Sequence, residues 1–141
     1  MINSITLAGQ LLARRADVEL RPLGLNTRRV AVLEAISQTP QCRPTDLALM
    51  TGIDKAALTA MFKGLSARRY IVRRSNADDH RTYHLELTRR GLDVLERARE
   101  VVWRVEGAVP EDLGEALADA LHGACIMLLE VEKRRELYGV D

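Results

Sequence analysis

The order of apolar periodicities predicts a mainly α fold interrupted once by a small β-hairpin. Three observations carry that expectation. Apolar residues recur at helical spacing through most of the chain. Residues 44–69, "PTDLALMTGIDKAALTAMFKGLSARR", read as a short helix, a tight Gly-containing turn and a longer helix. Directly after them, "YIVRRS" and "TYHLELT" are β-compatible runs separated by the polar stretch "NADDHR". A hairpin that follows a helix-turn-helix is a wing. The predicted architecture is a winged helix-turn-helix plus a helical dimerisation region.

Each element has its own local signal. In "SITLAGQLLARRADVEL", residues Ile5, Leu7, Leu11, Leu12 and Ala16 recur at helical spacing, and Pro22 and Gly24 punctuate the end. "NTRRVAVLEAI" opens with Asn or Thr as a cap and carries Val30, Leu33 and Ile36 on one side. "SQTPQCRP" reads as a polar loop. Pro44 suits the first turn of the short helix, where a backbone donor is least needed, and Leu47, Ala48 and Met50 form its apolar side. Gly52 is free to adopt a positive φ in the turn, and Asp54 is placed to cap the longer helix, whose apolar stripe is Leu58, Met61, Phe62 and Leu65. In the second strand Tyr83, Leu85 and Leu87 alternate with His84 and Glu86, as in a half-buried strand. From Thr88 a long helix follows with Leu92, Leu95, Ala98, Val102 and Val105 as its stripe. After Pro110 another helix repeats apolar residues from Leu113 through Leu121 and Leu128 to Val131. The helices at 5–20, 89–106 and 111–136 exceed what a DNA module needs and read as a dimer roof. The expected division is a lobe at 26–88 and a dimerisation region at 1–25 and 89–141, within one structural unit.

Composition narrows the classes. The 141 residues are 47% apolar and 29% charged, an ordinary globular balance, with one Trp, one Phe and three Tyr. The core is therefore expected to be aliphatic. No apolar run reaches the ~20 residues of a membrane span. No basic, signal-like leader precedes the first helix, so a cytoplasmic protein is expected. Cys42 and Cys125 lack the spacing of a zinc or redox pair and read as small buried hydrophobes. The net charge of +1 hides a segregation: residues 43–90 carry ten Lys/Arg against five Asp/Glu, and residues 91–141 carry six against twelve. The basic segment suits a polyanion.

Taken whole, the chain resembles the MarR family of bacterial winged-helix regulators. The stretch that carries the resemblance is "SNADDHRTYHLELTRRG". Family wings have an Asp, any residue, an Arg, a short strand, a Leu-Thr pair, and a Gly at the start of the long dimerisation helix. Asp79, Arg81, Leu87, Thr88 and Gly91 match that pattern. "LRPLGLNTRRVAVLEAI" and "DKAALTAMFKGLSARRYIVRR" resemble the family's second helix and its recognition helix with the entry to the wing. Ala60 and Gly64 stand where many members have Arg, and Val30 where the residue is usually aromatic. Base reading here is therefore expected to rest on fewer long side chains.

The DNA-facing candidates follow. Lys55, Ala56, Thr59, Ala60 and Lys63 lie opposite the apolar stripe of the second helix, the side that enters a major groove. Arg68 and Arg69, with Arg73 and Arg74, are candidates for phosphate contacts, one of the latter pair pointing at a phosphate while its neighbour packs or pairs elsewhere. His80, near the wing tip, is a further phosphate candidate. An aspartate two residues from Arg81 can hold the arginine stem or the hairpin backbone while the head reaches a minor groove. The resemblance implies that Arg81 contacts DNA and that Asp79 buttresses the wing. His84 is expected on the exposed strand face.

The function this implies is a homodimeric, sequence-specific regulator of double-stranded DNA. It is expected to repress pseudo-palindromic operators and to be released by a small aromatic or phenolic ligand bound in an aliphatic crevice near Trp103 or Tyr83. The competing class is a winged-helix interaction or adaptor module without specific readout. No enzyme is expected, since the chain has no Gly-rich phosphate loop, nucleophile elbow or HExxH. His80, His84 and His122 are not placed to converge on a metal, and no cofactor is expected.

Overall fold

The computed structural model describes residues 2–75, 83–108, 119, 120, 122–127 and 130. The chain divides into two units, Met1–Val102 and Trp103–Asp141. Helix α1, Ile2–Leu20, buries only Ala16 and Leu20 among its described side chains. Of the expected stripe, Leu7 and Leu11 remain 57% and 51% exposed. A 3-10 turn over Arg21–Leu23, with Pro22 inside it, ends at Gly24, whose φ of 69° suits glycine.

Helix α2, Thr27–Gln38, begins as its sequence suggests: the Asn26 side chain accepts from the Arg29 amide at 2.9 Å. Asp17 of α1 accepts from the Thr27 amide at 2.7 Å, tying the two helices together at the corner. Val30, Val32, Leu33, Ala35 and Ile36 are all buried. The expected polar loop "SQTPQCRP" is more structured than its composition suggests. Ser37 and Gln38 belong to α2, and the Cys42 carbonyl accepts from the Leu85 amide at 2.8 Å. That pairing is an antiparallel bridge onto the hairpin, and Cys42 is completely buried there.

Helix α3, Pro44–Thr51, is opened by Asp46 reaching back to the Arg43 amide at 2.9 Å. Leu47 is buried, but Met50 is 43% exposed. The covered side of α3 runs from Leu47 through half-buried Ala48 and Thr51, and Met50 lies on the opposite flank of Leu47. Gly52 follows with φ 64°. Asp54 caps helix α4, Lys55–Ala67, by accepting from the Ala57 amide at 2.9 Å. Leu58, Phe62 and Leu65 are buried and Met61 is half-buried.

Strands β1, Ile71–Ser75, and β2, Tyr83–Leu87, pair antiparallel, with Ile71 opposite Leu87 and Ser75 opposite Tyr83. Ile71 of β1 and Leu85 of β2 enter the core, while Tyr83 and Leu87 are half-buried. His84, expected on the exposed face, has only 19% of its side chain exposed, because it folds against Glu86.

Helix α5, Arg89–Gly107, is capped by Thr88, whose hydroxyl accepts from the Gly91 amide at 2.9 Å and lies 2.6 Å from the Arg69 carbonyl. A Cβ on Gly91 would sit 2.0 Å from the Tyr70 carbonyl oxygen, so only glycine permits this crossing. The buried face of α5 is Gly91, Val94, Leu95, Ala98 and Val101. Leu92, predicted in the stripe, is 48% exposed, since it sits about 100° from Gly91 on the helix. In the second unit, Cys125 is exposed among the described residues and not buried as predicted. Helical spacing alone does not orient a face when both sides carry small residues.

Candidate nucleic-acid interface

Because Leu58, Phe62 and Leu65 anchor one side of α4 in the core, its opposite side must face out. Lys55, Ala56, Thr59, Ala60 and Lys63 are all exposed there. The Thr59 hydroxyl donates to the Lys55 carbonyl at 2.8 Å. Between this face and β1 runs a groove of about 870 Å³, walled by Ala56, Thr59, Ala60 and Lys63 on one side and Ile71, Val72 and Arg73 on the other. Ser66 also lines it, and its hydroxyl is buried without a hydrogen-bond partner.

The wing root carries the next group. Arg73 and Arg74 project to opposite faces of β1, as successive strand residues must. The Arg73 guanidinium lies 5.0 Å from the centre of the Tyr83 ring. Arg74 pairs with Glu86 at 3.3 Å, and Glu86 also meets His84 at 3.0 Å. These contacts, His84 first and Arg74 second, hold the Glu86 carboxyl below the usual glutamate range. Both arginines remain exposed.

Arg68 is exposed as a residue, but its guanidinium packs over Gly24: a Cβ built there would come within 2.5 Å of the guanidinium carbon. Arg69 takes φ 58° at the end of α4, and its carbonyl is engaged by Thr88. Asp79, His80 and Arg81 lie outside the described residues.

A residue not singled out from sequence joins the picture. Arg28, with Thr27 and Ala31 at the start of α2, faces Thr51, Gly52, Ile53 and Asp54 across a hollow of about 400 Å³. Its only sequence signal is its place two residues after the Asn26 cap. A separate hollow of about 350 Å³ has Pro22, Leu23, Tyr70 and Val94 as apolar walls, Arg90 and Arg97 as cations and Asp93 as an anion. Neither Trp103 nor Tyr83 lines it. Trp103 is 76% exposed, while Tyr83 borders a different hollow beside Lys55, Thr59 and Phe62.

Away from these faces, Glu34 of α2 and Arg99 of α5 form a two-pronged ion pair at 2.6 and 2.7 Å, and Arg99 also bonds Glu96. The Arg99 hydrogen bond holds the Glu34 carboxyl below the usual range. Burial, with the Asp46 charge second, pushes the Cys42 thiol up to about 11. A thiol in that state is a poor nucleophile at neutral pH. Among the described residues, no three His, Cys, Asp or Glu side chains converge as a metal site requires.

Residues 23–82 match the model described as MarR family. Over 107 residues the chain is 27% identical to a protein of Thauera aromatica described as a transcriptional regulatory protein for the hcr operon; 76% of this chain and 62% of that protein are covered. This chain thus spans less than two thirds of that relative's length. Among solved structures it is similar to a transcriptional repressor, CouR, bound to a 23-mer DNA duplex, with a TM-score of 0.81, 27% identity and 89% of each chain covered. It shares the fold of wild-type MarR from E. coli in its apo form, with a TM-score of 0.79, 22% identity, and 92% and 96% of the two chains covered.

Proposed function

This chain belongs to the MarR family, and from that premise we propose that it is a sequence-specific, double-stranded-DNA-binding transcriptional regulator acting as a homodimeric repressor in the cytoplasm. The observation that carries the reading is the face of α4. Two lysines and three small residues are held outward by a buried stripe, beside a hairpin root with two exposed arginines. A face of this kind fits a major groove, with the wing beside it. Lys55, Ala56, Thr59, Ala60 and Lys63 then meet base edges. Arg68, Arg73, Arg74 and His80 meet phosphates, and Arg81 extends from the wing with Asp79 supporting it. Arg28 adds a cation next to the turn that precedes α4.

The lobe at 26–88 takes the DNA role, and the segments at 1–25 and 89–141 the dimerisation role. Exposed Leu7, Leu11 and Val18 on α1 supply apolar surface for a second copy. A twofold dimer would set two α4 helices into successive major grooves of a pseudo-palindrome. Release follows when a small aromatic or phenolic compound favours a lobe spacing unsuited to DNA. The hollow between Leu23, Tyr70 and Val94 has room for a single ring, and its two cations, Arg90 and Arg97, outnumber the one carboxylate, Asp93, for an acidic substituent.

The test is selection of bound fragments from randomised duplex DNA at two salt concentrations. Recovery of one inverted repeat, with affinity falling steeply as salt rises, is the expected result. No enrichment at low salt would instead favour the adaptor reading, in which an apolar docking surface responds weakly to salt.

A further inference from the structure

The polar groups on α4 are few, and one of them is already engaged. Its only polar side chains are Lys55, Thr59, Lys63 and Ser66. The Ser66 hydroxyl is buried, and Thr59 donates its hydroxyl proton to the Lys55 carbonyl at 2.8 Å. The helix therefore holds none of the Arg, Asn or Gln groups that grip guanine or adenine with two hydrogen bonds. What Thr59 presents outward is chiefly its methyl group, since bonding back to the preceding turn fixes the branched side chain. Residues four apart share a helix face, so Ala56 and Ala60 form one row, and Lys55, Thr59 and Lys63 a second beside it. The result is a patch of methyl groups bounded at both ends by a lysine, all of it exposed.

In the major groove, thymine is the base that shows a methyl group. We propose that α4 recognises its half-site through thymine C5-methyl groups, packed against the Thr59 methyl, Ala56 and Ala60, and that Thr59 is a specificity-determining residue acting through its methyl and not its hydroxyl. Lys55 and Lys63 bound the thymines and donate to guanine edges or phosphates on either side. This inference rests on the DNA-binding reading above and names what that face reads.

The test uses the purified full chain and the duplex recovered by selection from a randomised thymine-containing library. The duplex is resynthesised with deoxyuridine in place of thymidine, one half-site position at a time. That change removes a single methyl and leaves every hydrogen-bonding group in place. Affinity is expected to fall about fourfold per contacted methyl, the worth of one buried methylene-sized group. Thr59→Ser, which keeps the hydroxyl and removes the methyl, should erase the thymine-over-uracil preference at one position; Thr59→Val, which keeps the shape and removes the hydroxyl, should retain it. Equal affinity of wild type for the thymine and uracil duplexes overturns the inference while leaving DNA binding intact. Full thymine-over-uracil preference in Thr59→Ser overturns the assignment to Thr59, and loss of sequence preference in Thr59→Val but not in Thr59→Ser overturns it in favour of hydroxyl readout. If the starting library yields no enriched duplex, the DNA-binding reading itself fails, and this inference with it.

Discussion

Helices α1 and α2 meet at one corner, joined by the bond from Asp17 to the Thr27 amide, yet they use their apolar residues in opposite ways. In α2, Val32 and Leu33 are fully buried and Val30, Ala35 and Ile36 nearly so. In α1, Leu7, Leu11 and Val18 stay more than half exposed, and among its described side chains only Ala16 and Leu20, toward its end, are buried. The contrast separates two sources of stability. The α2 face is satisfied within the chain, whereas the outer turns of α1 offer apolar surface that a second copy could cover.

The largest expected effect tests that contrast directly. Leu33→Ala should cost about 2–5 kcal/mol at any protein concentration, as expected for a fully buried leucine. Leu11→Ala should change the stability of the isolated chain by less than about 0.5 kcal/mol. In the dimer reading it should weaken assembly, so that its effect grows as the protein becomes more concentrated. Urea denaturation at two concentrations distinguishes the cases, and equal losses at low concentration would abolish the contrast.

Next come two glycines, one forced by tertiary packing and one not. Gly91→Ala drives a Cβ to 2.0 Å from the Tyr70 carbonyl and should cost about 1–3 kcal/mol or displace the start of α5. Gly64→Ala meets nothing closer than Arg29 at 3.7 Å and should stabilise α4 by up to about 1 kcal/mol. Thermal unfolding of the two variants should therefore shift in opposite directions.

The smallest effect concerns the tie between α2 and α5. Glu34→Gln should lose up to about 1 kcal/mol, since the pair is partly solvent-exposed. The folded-state pKa of Glu34 lies below its ordinary value of 4.5. The wild type's advantage should therefore be complete above pH 4.5 and fade as pH falls through the lowered value. Denaturation midpoints of both proteins across the acid range check the sign.

Much of the candidate site is legible because its logic is local. Asn26 and Asp54 cap helices by accepting from amides three residues on, and Gly52 turns the chain within one residue. The α4 stripe of Leu58, Phe62 and Leu65 repeats within a few residues, so the outward side follows from the inward one. Where two apolar sides compete, this local logic fails. Helical spacing puts Leu92 and Met50 on apolar faces, yet both are exposed, and the polar composition around Cys42 predicts a loop, yet Cys42 pairs with the hairpin.

The amino-acid sequence alone therefore determined the order of the helices and strands from α1 to α5, the Asn26 and Asp54 caps, the helix-turn-helix and the side chains its second helix turns outward, because each depends on neighbours within about one helical turn. Only the tertiary structure decided that Cys42 extends the hairpin, that the Arg68 head covers Gly24, that α5 crosses Tyr70 at Gly91, and that Glu34 meets Arg99, 65 residues away. Those pairings depend on how distant segments are brought together, and a local run of residues carries no record of that distance.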